Sequence, residues 1–236
     1  MKIYFKFIIV IICMLLYSGS LIKYDSNSLH YYSKVHNKTR LIQKVSKSVV
    51  RLTTLDSNGL EITTATGFAI KRKGNKTFIL TNYHFCIETP DGDIYVEQIS
   101  ENVLAQKKSN LIVGKITMMN LNTDLCLLEV KKKIPILHLS HSYNQFDEVF
   151  TIGNPLGIFP IIVDTYISGN VKREDFVFEE NRGPGNFILI SQIVFPGHSG
   201  SPVFNKNGKV IGLIMASMSG YGTVAISSDT ISSFLA

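Results

Sequence analysis

Cysteine is scarce in this chain, and histidine and cysteine never cluster in it. Three cysteines among 236 residues exclude a disulfide-rich scaffold. No His/Cys group has the spacing of a zinc site, so we expect no metal and no cofactor. Internal repeats and low-complexity tracts are absent as well. With 45% apolar residues, the chain suits one large all-β domain or two small lobes with a core.

Acidic residues are outnumbered by basic ones, which gives a net charge of +6. The lysines are scattered, with small clusters at 71–76 and 131–133. No basic stripe interleaved with aromatic residues accompanies them, and no nucleic-acid motif is present. These clusters therefore predict solvated strand ends and turns, and we expect no nucleic-acid partner.

The chain also lacks a long hydrophobic run. Its longest uncharged apolar stretch, 7–22, has 16 residues, which is short of the roughly 20 that span a bilayer. Lys2 and Lys6 precede it, Lys23 closes it, and small residues occupy 18–20. Residues 1–22 therefore predict a signal peptide, with an uncleaved membrane anchor as the open alternative. Either places the rest of the chain outside the cytoplasm, secreted, periplasmic or tethered to a membrane.

Residues 23–44 predict a polar connector, because they show no steady periodicity. From residue 45 onwards, short β-branched runs alternate with turn residues, and no long helical stripe interrupts them. This pattern predicts barrels or a sandwich. Only 228–235 predicts a short helix, capped by Ser227 or Ser228. The predicted strands are 48–55, 60–71, 77–82, 93–98, 111–118, 125–131, 148–152, 160–172, 186–194, 202–205 and 209–216.

Ser199 lies in the most informative stretch, PGHSGSP at 196–202. A serine between glycines can be a nucleophile if a base removes its proton and donors stabilise the resulting oxyanion. The glycines allow a sharp turn, so the amides of Gly197 and Ser199 are the candidate donors. By itself, the string is a weak signal and is more typical of a plain loop.

His84 ends an apolar strand, and Asp124 begins another. A histidine can accept and return a proton near neutral pH, and a buried carboxylate can orient it. Each residue alone is more typical of an ordinary surface or turn position. Together with Ser199 they give the order His, Asp, Ser. That order disfavours an esterase of the strand–serine–helix type, in which serine comes first.

Cys86 and Cys126 each follow one of these two residues by two positions. If His84 and Asp124 meet, their neighbours can approach, so a disulfide is one interpretation. Two small buried side chains is the other. The third cysteine, Cys13, lies in the export segment.

Ordered motifs along 45–235 resemble those of trypsin-like serine proteases, and in particular the HtrA-like branch. The matching segments are TGFAI (66–70), LTNYH (80–84), DLCLL (124–128), IGNPLG (152–157), SGNV (168–171), GHSGSP (197–202) and VAI (224–226). The resemblance implies a double six-stranded β-barrel, with lobes near 45–135 and 136–236. It also implies a serine endopeptidase acting on protein or peptide substrates through His84, Asp124 and Ser199.

Two departures from the family pattern stand beside the nucleophile. Ser201 replaces a glycine, and His198 replaces the aspartate of digestive members, which removes their route of zymogen activation. These departures support the alternative of a catalytically impaired pseudoprotease that acts as a binding module. No PDZ domain is expected after the protease domain. HtrA-type relatives often form trimers, but no interface signature predicts a homo-oligomer here.

Substrate preference follows from what surrounds the family's specificity pocket. No Asp or Glu occurs between 181 and 228, so a preference for Lys or Arg before the cut is disfavoured. The resemblance places Ile193, Ile214, Met215, Ala216 and Ser217 near the pocket. We therefore expect a small or apolar residue before the scissile bond.

Overall fold

The computed structural model describes residues 26–56, 58–88, 93–98, 112–157, 160–172, 174, 185–218 and 222–236. The chain forms two compact units, Met1–Leu41 and Ile42–Ala236. The predicted export segment, 1–22, lies outside the described residues. In the described part of the chain, no helix is both long and apolar enough to cross a membrane.

Helix α1, Ser26–Ser46, occupies most of the predicted polar connector. The structure here differs from the irregular segment that we expected. Residues 35–40 are all exposed, and Val45 is buried only near the end of the helix. From residue 35 onwards, where burial is described, few side chains of the helix are buried. Its sequence has no steady apolar stripe, which is the signal that predicts a helix.

The first barrel is closed by six antiparallel strands in the order β1-β2-β3-β6-β5-β4. Alternating and continuous β-branched runs build these strands, and glycine turns such as that at Gly74, with φ of 62°, connect them. A short helix, α2 (Tyr83–Ile87), follows the third strand. The strands are β1 (Val49–Leu55), β2 (Glu61–Lys73), β3 (Lys76–Asn82), β4 (Ile94–Gln98), β5 (Ile112–Asn120) and β6 (Leu125–Val130).

The second barrel repeats this arrangement, with the strand order β7-β8-β9-β12-β11-β10. Helix α3, Ser228–Leu235, follows it, and the Ser227 hydroxyl accepts a hydrogen bond from the Thr230 amide, as the predicted cap requires. The strands are β7 (Glu148–Gly153), β8 (Ile161–Lys172), β9 (Asn186–Ile190), β10 (Pro202–Asn205), β11 (Val210–Met218) and β12 (Gly222–Ser227).

Each barrel encloses its own apolar core. The first contains Leu52, Ile79 and Leu128, and the second contains Ile167, Ile188 and Ile214. The predicted pair of six-stranded barrels and the C-terminal helix are confirmed. The predicted strand at 186–194 is too long, since it ends at Ile190, and β12 was missing from the predicted strands.

Candidate active site

Antiparallel pairing of β3 with β6 brings His84 and Asp124 together. Asn82, the last residue of β3, is paired with Leu125, the first residue of β6. The residue after one strand and the residue before the other therefore share the same barrel edge. The Tyr83 amide donates to the Asp124 carbonyl over 3.1 Å, which joins the two connections directly.

The Asp124 carboxylate contacts the imidazole of His84. Its Oδ2 lies 2.9 Å from His84 Nδ1, and its Oδ1 accepts from the His84 backbone N–H over 3.0 Å. The Asn82 side-chain amide donates to Oδ2 over 3.0 Å. A proton on Nδ1 would be donated to the carboxylate, so Nε2 is the ring nitrogen that can accept another proton.

Burial differs between these two side chains. The Asp124 side chain is 5% exposed and that of His84 is 41% exposed. Asp124 has a positive φ of 53°, a left-handed conformation that aspartate adopts more readily than most residues. The carboxylate is thus held away from water, while the imidazole opens towards it.

Ser199 belongs to the second half of the chain, but its backbone is hydrogen-bonded to the first barrel. Its carbonyl accepts from the Thr66 amide in β2 over 2.9 Å. The next residue, Gly200, has φ of 84°, and a Cβ there would overlap the Thr66 carbonyl oxygen. Thr66 in turn accepts a hydrogen bond from Thr81, three residues before His84. The glycine is therefore required for the serine segment to lie against this edge of the first barrel.

The residues before Ser199 form a tight turn. The His198 amide donates to the Phe195 carbonyl over 3.1 Å, and Gly197, the third residue of the turn, has φ of 97°. Proline second and glycine third are the residues that a type II turn favours. The Pro196 carbonyl accepts from the Leu156 amide over 2.8 Å. Because a trans peptide points its C=O and N–H in opposite directions, the Gly197 N–H faces away from Leu156.

Ser201 and His198, the two departures from the family pattern, are both buried against Gly153. A Cβ on Gly153 would overlap the Ser201 hydroxyl, so the glycine makes the room that the serine side chain needs. His198 Nδ1 accepts from the Phe195 amide over 3.3 Å. Burial lowers the pKa of His198, which favours the neutral imidazole that this hydrogen bond requires.

One edge of β11 is open beside Ser199. Strand β10 pairs with β11 only as far as Leu213, whereas β12 continues along the other edge to Met218. Ala216 and Ser217 are exposed there. No strand covers this edge among the residues that the structure describes. An extended peptide could bind it by adding a strand.

The five predicted pocket residues differ in how exposed their side chains are to solvent. Ile193 is 75% exposed, whereas Ile214 is 1% exposed and packs into the core of the second barrel. The Ile214 backbone is occupied as well, since its N–H donates to the Ser201 carbonyl and its C=O accepts from the Gly200 amide. Met215 is half-buried beside the open edge. Over the described ranges, no three His, Cys, Asp or Glu side chains converge as a metal site would need.

A disulfide joins Cys86 to Cys126, with their Cα atoms 6.6 Å apart. It links helix α2, which contains His84, to strand β6, which follows Asp124. Of the two interpretations that the sequence left open, the structure has the bonded one. Both cysteines are buried in the core of the first barrel.

Comparison with known sequences identifies this architecture. A sequence profile described as the trypsin-like peptidase domain matches residues 65–213. The chain belongs to the trypsin-like peptidase family. Among curated relatives, a probable periplasmic serine endoprotease DegP-like of Chlamydia trachomatis is 30% identical over 161 residues, covering 66% of this chain and 29% of the relative. Human serine protease HTRA3 is 26% identical over 215 residues, covering 83% of this chain and 43% of the relative. The resemblance to the HtrA branch is confirmed.

Solved structures share the fold of this peptidase chain. Deg5 superposes with a TM-score of 0.67 at 22% identity, covering 85% of this chain and 92% of that one. The active form of the Rv3671c protease from M. tuberculosis superposes with a TM-score of 0.66 at 17% identity, covering 83% of this chain and 82% of that one. The aligned part of this chain spans about a third or less of the DegP-like relatives from Chlamydia trachomatis and Rickettsia conorii, at 29% and 32% of their lengths.

Sequence reasoning gave no role to Asn82 or Thr66, although both occur in the motifs that carried the resemblance. Asn82 is fully buried, and its side-chain amide donates to Oδ2 of Asp124, whereas the His84 backbone amide donates to Oδ1. The available signal was a polar residue at the end of an otherwise apolar strand. Such a residue is buried only if it has a partner.

Proposed function

We propose that this chain is an exported serine endopeptidase in which His84, Asp124 and Ser199 form the catalytic triad. The observation that carries the proposal is a single chain of contacts. Asp124 hydrogen-bonds to His84 at the edge of the first barrel. Thr66 lies in β2, which is separated from β6 by β3, and it hydrogen-bonds to the Ser199 segment at that same edge. Acyl transfer requires a general base and an alcohol close together, and these contacts support that arrangement.

The reaction proceeds in two halves, acylation and deacylation, and each half contains two proton transfers. Ser199 Oγ attacks the scissile carbonyl carbon while its proton passes to His84 Nε2, and Asp124 stabilises the imidazolium. The tetrahedral intermediate collapses as the C–N bond breaks and His84 gives that proton to the leaving amine. Water then attacks the acyl-enzyme with His84 again as base. Cleavage of the ester bond releases the acid, and the proton returns to Ser199.

The backbone amides of Gly197 and Ser199 would stabilise the oxyanion of each intermediate. Two observations support this role. The Gly197 N–H faces away from the Leu156 amide that binds the preceding carbonyl, and neither amide donates to an acceptor in the described part of the chain. Loss of one such donor commonly reduces turnover by about 10²–10³-fold.

The substrate would bind as an added strand along Met215–Ser217 of β11 and place a small or apolar side chain in the pocket. The absence of any carboxylate between 181 and 228 supports this preference, because a Lys or Arg side chain would find no counter-charge there. Cleavage of a peptide library should show Ala, Val or Leu before the cut. Dominance of Arg or Lys would contradict the proposed pocket.

Export is part of the same proposal. The basic start and apolar run of 1–22 support it, as does the buried disulfide, since such bonds persist in oxidising compartments. Mass spectrometry of the N-terminus of the protein purified from its natural cell would separate the alternatives. A cleaved signal gives a chain starting near residue 20, and a membrane tether gives one that retains the apolar run.

A fluorophosphonate probe tests the central assignment, because it reacts only with an activated serine. Labelled protein, digested and analysed by mass spectrometry, should have the probe on Ser199. Ser199→Ala should remain folded and unlabelled, and Ser232→Ala, which removes another serine beside a histidine, should label like the wild type. A folded wild type that does not react would instead support the binding-module alternative.

A further inference from the structure

Thr66 bonds to more of the nucleophile segment than any other described residue of the first barrel. It is fully buried in β2. Its amide donates to the Ser199 carbonyl over 2.9 Å, and its hydroxyl donates to the Gly197 carbonyl over 2.8 Å. The same hydroxyl accepts from the Asn154 amide over 3.0 Å. One side chain therefore joins the first barrel to two loops of the second.

The direction of these hydrogen bonds is fixed by chemistry. A backbone N–H can only donate, so the Thr66 oxygen must accept from Asn154. A carbonyl can only accept, so the single hydroxyl proton of Thr66 must point at Gly197. The hydroxyl therefore has one orientation, and its two partners belong to the two loops that surround the nucleophile.

Among the described residues, Thr66 is the only one that donates a hydrogen bond to the Gly197 carbonyl. Leu156 fixes the peptide before Gly197, through the Pro196 carbonyl, and Thr66 fixes the peptide after it. With both carbonyls anchored, rotation about the Gly197 backbone is restricted, although glycine itself is permissive. Its N–H then keeps one direction.

We propose that Thr66 is a positioning residue for the acyl-transfer reaction. Its hydroxyl holds the 196–199 segment in the orientation that leaves the amides of Gly197 and Ser199 free for an oxyanion. This inference rests on the proposed function, because it assigns Thr66 a role in that reaction. Thr66 itself does not contact the reacting atoms and acts through the loop.

The effect should depend on the hydroxyl and not on the bulk of the side chain. Valine matches the shape of threonine but would leave the buried Gly197 carbonyl and Asn154 amide without a partner. An unsatisfied buried group is costly, so the turn should rearrange to satisfy it. Serine keeps the hydroxyl and loses only a methyl group.

The test compares Thr66→Val with Thr66→Ser and with a control, Thr54→Val. Thr54 is equally buried on the neighbouring strand β1, and its hydroxyl has no partner among the described residues. We expect Thr66→Val to lower kcat on fluorescein-labelled casein by about 10–100-fold, somewhat less than the loss of an oxyanion donor. KM should stay within about threefold, because the open edge of β11 is unchanged. Thr66→Ser and Thr54→Val should both stay within about threefold of wild-type kcat.

Several outcomes would overturn the inference. Wild-type kcat in Thr66→Val, an equal loss in Thr66→Ser, or a change in KM alone would each do so. If Thr66→Val does not fold, Thr66→Ala replaces it, since alanine cannot overpack the site, and Thr66→Ser must then exceed Thr66→Ala in kcat. The rate of labelling by the fluorophosphonate probe distinguishes failure of the proposed function from failure of this inference alone. A wild type that does not label at Ser199 removes the proposed function and this inference together, whereas equal labelling of wild type and Thr66→Val removes this inference alone.

Discussion

The molecule contains a second Ser–His–Asp set, and it differs from the first in nearly every respect except residue type. His141 Nδ1 lies 2.6 Å from Asp229 Oδ1, and His141 Nε2 lies 3.4 Å from Ser232 Oγ. The side chains of His141 and Asp229 are about half exposed, at 51% and 52%. By distance alone, this surface set at α3 would pass for a catalytic triad.

What separates the two sets is the backbone around each serine and the donors around each carboxylate. Ser232 lies inside α3, where its backbone amide donates a hydrogen bond within the helix. No free N–H pair is therefore available beside it to stabilise an oxyanion. Asp229 is solvated, whereas Asp124 is buried and accepts from an amide side chain and a backbone N–H. The proposed triad therefore has a shaped loop and a buried carboxylate that the surface set lacks.

The largest difference should appear when each carboxylate is neutralised. Asp124→Asn should reduce kcat by about 10⁴-fold, because an amide stabilises the wrong tautomer of the histidine and cannot offset an imidazolium charge. Asp229→Asn should leave kcat within about twofold, since the proposed reaction does not use the surface set. Casein hydrolysis measures both. Comparable losses in the two variants would end the distinction between the sets.

The disulfide is the next largest difference, since it links the segments that follow His84 and Asp124, and the surface set has no such link. It closes a loop of 40 residues. Replacing Cys86 and Cys126 by alanine should lower the free energy of unfolding by about 2–4 kcal/mol. Urea denaturation measures this. Reductant should produce a similar loss in the wild type and none in the double variant, and insensitivity of the wild type would mean that the bond is not formed.

A smaller effect concerns pH. Burial lowers the pKa of His198 below its ordinary value near 6.5, so the unfolded chain binds a proton more readily than the folded one. Stability should therefore fall as the pH drops below about 6.5. His198→Asn should make this fall shallower in thermal denaturation between pH 7.5 and 5. His138→Asn, which removes an exposed histidine, should keep the wild-type curve. An unchanged slope in His198→Asn would contradict the buried neutral imidazole.

The smallest effect is expected from the surface set itself. His141→Ala removes its contact with Asp229, but the pair is solvated, so the loss of stability should be about 0.5 kcal/mol or less. Thermal denaturation and casein hydrolysis at neutral pH should both stay close to the wild type. A large loss of activity would show that this set matters to the reaction after all.

Much of the site could be predicted from sequence, because its residues carry local signals. His84 closely follows one apolar strand and Asp124 directly precedes another, and the glycines beside Ser199 mark a turn. The strands were predictable for the same reason, apart from β12. That strand, Gly222–Ser227, is rich in small residues and follows a glycine-rich stretch, so its alternation is weak.

Other features depend on contacts between distant segments. The hydroxyl of Thr66 serves Gly197, 131 residues away, and no local pattern specifies that partner. Helix α1 lacks an apolar stripe, so its sequence predicts no helix. The pairing of Cys86 with Cys126 follows from strand register, which two isolated cysteines do not reveal.

The sequence by itself determined the strands other than β12, the turn at Pro196-Gly197 and the residue types of the proposed reaction, since backbone geometry and apolar periodicity act over a few residues. Only the tertiary structure decided which of two similar Ser–His–Asp sets has a buried carboxylate and a serine on a turn with free amides. Burial and free N–H groups arise where the chain packs against itself, and packing between distant segments is not encoded at any single position.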